Sequence, residues 1–127
     1  MTSLPELIDV ESSHIKQIGY DEEKEQLFIK FKQDKIYQYF NFPLDMWERF
    51  LEEESKGKFL SYYIKGKYEF RGLEDYDRPF EVGARVYHEK YNTGTITKIL
   101  EDGKIVVEFD NNKKVKTTKK KLVIIRS

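Results

Sequence analysis

Residues 84–126 contain five short segments of β-type sequence, separated by residues that favour tight turns. Asn92-Thr93-Gly94, Asp102-Gly103 and Asn111-Asn112 are turn sequences, since Asn, Asp and Gly tolerate the positive φ that hairpin turns require. Five strands in so short a stretch predict a small closed or nearly closed β-barrel, because closure removes exposed sheet edges. The strands are expected in the sequences ARVYHE, TGTITKILE, KIVVEFD, KKVKTT and KLVIIR.

Apolar residues in the N-terminal half follow two different periods, one typical of strands and one typical of helices. Alternation of apolar and polar side chains, as in Leu27, Ile29 and Phe31, is typical of half-buried strands. Apolar residues at helical spacing follow, and Pro43 suits the first turn of a helix because its missing N–H costs nothing there. We predict strands at residues 14–20, 26–32 and 36–42, a helix at 44–55 with Leu44, Trp47, Phe50 and Leu51 on its apolar face, and a second helix at 58–67.

Residues 69–79 mix charge with Gly and Pro and show neither period, so they predict a linker. The domains are therefore expected at 1–68 and 80–127. Residues 1–79 carry 12 basic and 17 acidic side chains, whereas residues 80–127 carry 11 and 6. The N-terminal part is thus acidic and the C-terminal part basic, which favours a polyanion or an acidic surface as partner of the second domain. The predicted fold class is an α+β domain, with an antiparallel sheet and two helices, followed by a small all-β barrel.

The composition argues against several classes of site. There is no Cys, and His14 and His88 are the only histidines, so we expect no disulfide, no metal and no cofactor. No apolar run approaches the length of a membrane span, and the N-terminus does not resemble a signal peptide. A cytoplasmic location, with no membrane partner and no small-molecule substrate, is expected.

Several motifs stand out in residues 10–68, namely VESSHIKQIGYD, LFIKF, Tyr37-Gln38-Tyr39, Phe42-Pro43 and SKGKF. Together these motifs resemble the KTSC domain family. Members of that family occur at the C-terminus of some lysyl-tRNA synthetases and as free-standing bacterial domains, and the resemblance implies a suggested role in RNA binding.

A second set of positions in residues 82–125 consists of Gly83, Val86, His88, Gly94 and Ile96. Their spacing resembles that of the Tudor-like C-terminal extension of UvrD/PcrA-type DNA helicases. Tyr91 stands where that family has Phe, and Asn92 replaces its first turn Gly, which Asn can do because it tolerates the left-handed conformation. The resemblance implies an adaptor that contacts RNA polymerase or repair proteins, with nucleic-acid contact also proposed.

Two groups of residues are candidates for nucleic-acid or acidic-partner binding. Tyr37 and Tyr39 lie on one face of a strand, where they either stack on bases or pack under the helices. A lysine cluster either neutralises phosphates or protects a sheet edge from aggregation. The cluster consists of Lys113, Lys114, Lys116, Lys119, Lys120 and Lys121.

Tyr87, His88 and Tyr91 are candidates for binding a protein partner through an aromatic rim. The alternative for His88 is a hydrogen-bonded structural role near a turn. Ser12 or Ser13 is expected to bond to the backbone at the start of a strand. A nucleophilic serine is not expected, because it needs a base within hydrogen-bond reach and the adjacent His14 would face the other way on a strand.

The sequence therefore predicts a non-enzymatic protein of two binding modules. Nucleic acid, RNA or DNA, is the leading partner through the basic second domain. The alternative is an adaptor to the transcription or DNA-repair machinery without direct nucleic-acid binding. The chain has no Gly-rich phosphate loop and no evident acid/base pair, which disfavours an enzyme.

Overall fold

The computed structural model describes residues 4–73 and 80–126, which fall into two compact units. Unit 1 lies within residues 4–73 and unit 2 within residues 80–126. Each unit contains one five-stranded antiparallel sheet. The chain is thus mostly β-structure with a small helical part in unit 1.

The sheet of unit 1 follows the order of the chain, β1-β2-β3-β4-β5. Two short helices come between its last two strands, and a π-helical turn at Leu60–Ile64 continues the second helix. The elements are β1 (Ile8–Asp9), β2 (Ile15–Asp21), β3 (Gln26–Phe31), β4 (Ile36–Tyr39), α1 (Leu44–Glu52), α2 (Lys56–Phe59) and β5 (Phe70–Gly72).

Local chemistry explains where these elements begin and end. Ser12 Oγ accepts hydrogen bonds from the backbone N–H of His14 and Ile15, both at 3.4 Å, as expected for a serine before a strand. Ser55 Oγ accepts from Lys58 N at 3.3 Å and caps α2, so the second helix starts two residues before the predicted position. The helical segment ends at Ile64, three residues before the predicted end, and Gly66 follows it with a φ of +78°.

The helices cover one face of the sheet of unit 1. Phe50 of α1 and Phe59 of α2 are buried, and their rings stack with centroids 5.1 Å apart. Trp47 is half-buried, whereas Leu44 and Leu51 are 39% and 40% exposed, so the apolar face of α1 is narrower than the helical spacing predicts. The buried core residues of this face are Ile15, Ile18, Leu27, Ile29, Tyr39, Phe42, Phe50, Phe59 and Ile64.

The opposite face of the same sheet holds a buried polar network. Gln38 Nε2 donates to Gln26 Oε1 at 2.7 Å, and Arg71 Nε donates to Gln38 Oε1 at 2.9 Å. Arg71 belongs to β5, which lies inside the predicted linker, residues 69–79. That prediction needs correction, since Phe70–Gly72 pairs with β4 as the last strand of the sheet. Residues 74–79 of the predicted linker lie outside the described residues.

Unit 2 has the strand order β10-β6-β7-β8-β9. No pairing between β9 and β10 is present in the described residues, so the sheet has two edges and the predicted closed or nearly closed barrel is not found. A 3-10 turn at Lys119–Lys121, which the sequence did not signal, separates these two strands. The strands are β6 (Arg85–His88), β7 (Asn92–Ile99), β8 (Ile105–Phe109), β9 (Lys114–Thr117) and β10 (Leu122–Ile124).

The predicted turn chemistry is present in unit 2. Asn92, Gly103 and Asn112 have φ values of +70°, +88° and +70° at the three hairpins. Gly94, however, is a strand residue, which pairs with Val86 on one side and Phe109 on the other. The buried core of this unit consists of Val86, Ile96, Ile105, Val107, Phe109 and Leu122.

Candidate nucleic-acid interface

The six candidate lysines lie on and beside one edge of the sheet of unit 2. β9 pairs only with β8, so its other side is a sheet edge. Within β9 the lysines alternate with Val115, which is half-buried, and Thr117, which is buried. All six lysines are exposed, and together they define the lysine surface: Lys113, Lys114, Lys116, Lys119, Lys120 and Lys121.

The lysine surface keeps its positive charge unneutralised. Lys113 Nζ lies 5.9 Å from the centroid of the Tyr91 ring, and Lys119 Nζ lies 5.8 Å from that of Phe80. These cation–π contacts orient the ammonium groups without removing their charge. Within residues 4–73 and 80–126, none of the six lysines forms an ion pair.

The three predicted protein-binding residues do not form one surface: Tyr87 and His88 lie on opposite faces of β6, and Tyr91 lies in the turn after it. His88 is buried, and its ring centroid lies 4.9 Å from that of Tyr91 and 5.9 Å from that of Phe109. Its Nδ1 accepts a hydrogen bond from Lys90 N at 3.0 Å, which agrees with the structural role considered for this histidine. Tyr87 precedes His88 on the strand and projects to the other side. The structure therefore brings His88 and Tyr91 together but not Tyr87.

His88 adds no cation to this surface at neutral pH. Burial lowers the pKa of its imidazole, and the nearby positive charge of Lys121 lowers it further. The charge of Glu89 raises this pKa, whereas that of Lys90 lowers it. The neutral ring can accept the Lys90 hydrogen bond, which an imidazolium could not.

An ion pair between Arg85 and Asp110 joins β6 to the end of β8. The guanidinium donates to both carboxylate oxygens at 2.8 and 2.7 Å, and Thr93 Oγ1 donates to Oδ2 at 2.8 Å. The Arg85 hydrogen bonds lower the pKa of Asp110 most, the Thr93 bond lowers it further, and partial burial opposes both. The sequence alone does not indicate this pair, because the two residues are 25 positions apart and neither belongs to a motif.

We expect Asp110→Asn to lower the free energy of unfolding of unit 2 by about 1 kcal/mol at pH 7, since the carboxylate is 55% exposed and solvent weakens the pair. A carboxyl group with a lowered folded-state pKa stabilises the fold above its unfolded-state pKa. The difference between the two proteins should therefore shrink as the pH falls through the folded-state pKa, below 3.8. Urea unfolding at pH 7 and pH 3, followed by NMR, measures it.

Glu101→Gln is the control for this prediction, because Glu101 is exposed and makes no hydrogen bond or ion pair with a described residue. It should change the stability of unit 2 by less than about 0.5 kcal/mol. Equal effects of the two substitutions would show that general charge, rather than the pair with Arg85, determines the result.

Tyr37 and Tyr39 pack against the core of unit 1 rather than forming an open stacking surface. Tyr39 is 5% exposed, and Tyr37 is half-buried. Their rings belong to a connected group in which Phe31 contacts Tyr37 at 5.4 Å, and Phe70 contacts Tyr37 and Tyr39, both at 5.6 Å, between centroids. Helices α1 and α2 pack against the same core, which leaves no broad face for successive bases.

These four aromatic rings line a cavity of about 260 Å³ in unit 1. We call it the aromatic cavity. Its remaining walls are Leu60 and the exposed residues Gln33, Lys35, Lys65 and Gly66, which place the opening at the surface. The sequence indicates Tyr37 and Tyr39 but not the cavity, because its walls come from three strands, the turn between β3 and β4, and the π-helical segment with the turn after it.

Comparison with known proteins identifies unit 1. The KTSC domain profile matches residues 11–68. A crystal structure of a KTSC domain protein from Yersinia pestis is 37% identical and superposes with a TM-score of 0.52, over 54% of this chain and 96% of that one. The chain belongs to the KTSC domain family. The predicted resemblance is thus confirmed for the first unit.

The KTSC domain is also similar to part of larger enzymes. Lysine–tRNA ligases from Nostoc punctiforme and Trichormus variabilis are 36% and 33% identical to it over 67 residues. The match covers 53% of this chain but 12% of each ligase. The chain therefore spans about an eighth of the length of these curated relatives.

Within the described parts of the chain, no group of three or more His, Cys, Asp or Glu side chains is placed to hold a metal ion. None of the helices in those parts is long and apolar enough to span a membrane.

Proposed function

We propose that this KTSC protein is a non-enzymatic, two-module nucleic-acid-associated protein that contacts phosphates through the lysine surface of unit 2. The observation that carries the proposal is the set of six exposed lysines, none of which is paired with an acid among the described residues. Unpaired ammonium groups on one edge can follow a phosphate backbone without first breaking an internal ion pair.

The charge distribution supports the same proposal. Residues 80–127 carry 11 basic and 6 acidic side chains, and the ion pair between Arg85 and Asp110 removes one of each, so it leaves the excess of basic side chains unchanged. The surface therefore attracts polyanions more strongly than the near-zero charge of the whole chain suggests. The similarity of unit 1 to lysine–tRNA ligases, enzymes named for an RNA, also favours RNA as the nucleic acid.

The experiment is fluorescence anisotropy of the intact chain with labelled single-stranded RNA, single-stranded DNA and duplex DNA across a salt series. We expect log affinity to fall linearly with log salt concentration. Reversing the charge of Lys119, Lys120 and Lys121 to Glu should weaken binding by at least about tenfold and reduce the slope on single strands by about 2, since each phosphate contact contributes about 0.7.

A matched charge reversal separates specific contact from net charge. Lys67, Lys98 and Lys104 are exposed and lie outside the lysine surface, so changing them to Glu alters the net charge equally. This control should weaken binding much less than the Lys119, Lys120 and Lys121 variant. Equal loss in both variants, or no binding at low salt, would contradict phosphate contact at the lysine surface.

The second candidate function is a protein adaptor, and the open sheet of unit 2 favours it. β9 and β10 are both edges, so a peptide can add to either of them as a further strand. Tyr87 lies opposite Val123 of β10, close to one of these edges, and the Tudor-like resemblance of this segment also implies an adaptor. Partner binding that persists at high salt would favour this function, because main-chain and apolar contacts are less screened than phosphate contacts.

A further inference from the structure

We infer that the aromatic cavity of the KTSC domain takes the base of one nucleotide in a single-stranded nucleic acid, with the adjoining phosphate at Lys35 and Lys65. This site lies in unit 1 and is separate from the lysine surface. It also differs in kind, because an exposed lysine cluster attracts any phosphate backbone, whereas a cavity selects by shape and hydrogen bonding.

The size and walls of the cavity suit a small planar ring. Its volume of about 260 Å³ is below the roughly 300–1,000 Å³ of sites that enclose drug-sized ligands, so it can hold one base but not a larger molecule. Phe31, Tyr37, Tyr39 and Phe70 supply aromatic surface on which a base can stack.

A polar group in the cavity wall can bind the edge of a ligand. The Tyr39 side chain is 5% exposed, yet its hydroxyl makes no hydrogen bond to any described residue. Burial, with a smaller contribution from Tyr37, raises the pKa of this hydroxyl to about 12, so it is protonated and can donate. Solvent reaches this hydroxyl, since it is not among the buried atoms that lack a partner, and a base edge entering the cavity carries acceptors to which it can donate.

The rim supplies the complementary charge. Lys35 and Lys65 line the opening, both are exposed, and neither forms an ion pair with a described residue. A ligand with a planar ring, a hydrogen-bonding edge and an attached anion matches these walls, and a nucleotide combines all three. A lipid or an aliphatic peptide side chain would leave the Tyr39 hydroxyl without an acceptor.

The test uses NMR of the intact, isotope-labelled chain titrated with the four ribonucleoside 5′-monophosphates and with a single-stranded hexaribonucleotide. We expect saturable shifts of amide signals at the cavity residues Phe31, Tyr37, Tyr39 and Phe70 with both types of ligand. The hexamer titration is repeated in the Lys119, Lys120 and Lys121 to Glu variant, in which the lysine surface is disabled. Shifts at the cavity should persist there, so the failure of one site is distinguishable from the failure of the other.

Two variants test the contacts. Lys35→Gln with Lys65→Gln should weaken monophosphate binding about tenfold, because two charge-assisted contacts to the phosphate are lost. Its control is Lys58→Gln with Lys67→Gln, two exposed lysines of the same unit that do not line the cavity. Tyr39→Phe should weaken binding about three- to tenfold while leaving the fold intact, since the hydroxyl has no protein partner to lose.

Three results would overturn the inference. The first is that no cavity signal shifts at millimolar monophosphate or with the hexamer. The second is equal weakening by the Lys35/Lys65 and Lys58/Lys67 variants, which would assign binding to general charge. The third is binding of monophosphates alone, with the hexamer excluded, which would show that the cavity does not take a nucleotide within a strand.

Discussion

Replacing Gly94 by alanine is expected to destabilise unit 2 by about 3 kcal/mol, enough to unfold much of it at 37 °C. A Cβ atom on Gly94 would lie 2.8 Å from Glu108 O and 2.8 Å from both Cα and Cδ1 of Phe109. Two of these atoms belong to the backbone of β8, which must move away and disturb the buried Phe109 ring. A unit of this size is only marginally stable, so the loss is a large fraction of its total.

The NMR signals of β6–β10 report the effect, and Trp47 fluorescence reports unit 1, because Trp47 is the single tryptophan of the chain. The matched control is Gly103→Ala, since Gly103 has open space around its Cα and a φ of +88°. It should cost about 1 kcal/mol through backbone strain alone. Equal destabilisation by Gly103→Ala and Gly94→Ala would contradict this explanation. It would show that the close contact between β7 and β8 does not account for the glycine at position 94.

The strands with clear alternation are those that the sequence predicts well. β2 and β3 lie within one residue of their predicted bounds. Alternate side chains of a strand point to opposite faces of the sheet, so a period of two in the sequence marks the strand directly. β4 ends at Tyr39, three residues earlier than predicted, since Asn41 adopts a φ of +56° and breaks the extended conformation. Aromatic content alone does not locate that end.

Strands β1 and β5 could not be predicted in the same way. They contain two and three residues, too few for a period, and they exist because the edges of β2 and β4 provide backbone partners. Barrel closure in unit 2 is also a long-range property. It requires β9 and β10 to meet, and neither strand sequence carries information about that distance.

The candidate sites also differ in whether the local sequence predicts them. Exposure of Lys114 and Lys116 follows from the strand pattern, since a strand that alternates Lys with β-branched residues places its charges outward, whereas Lys119–Lys121 lie in a 3-10 turn that the sequence did not signal. The Arg85–Asp110 pair and the aromatic cavity depend instead on residues from different strands. The sequence supplied Tyr37 and Tyr39 as candidates, but the geometry of the sheet and the π-helical turn determines that they line a cavity.

Replacing Phe50 by alanine is expected to destabilise unit 1 by about 3–5 kcal/mol, the largest effect predicted for a single side chain here. Phe50 is fully buried, stacks on Phe59 at 5.1 Å and contacts Trp47 edge-on at 6.4 Å, so truncation leaves a cavity between α1, α2 and the sheet. Urea unfolding followed by Trp47 fluorescence measures the loss directly, because the indole lies beside the altered site.

Leu51→Ala is the informative comparison, because the spacing of apolar residues predicted both Phe50 and Leu51 on the buried face of α1. Leu51 is 40% exposed, so its truncation should cost less than about 1 kcal/mol. A much larger loss of stability for Phe50→Ala than for Leu51→Ala would establish that Phe50, rather than a broad apolar face, packs α1 against the sheet. Similar losses would mean that α1 is rotated about its axis in solution, bringing Leu51 into the core as the sequence periodicity predicts.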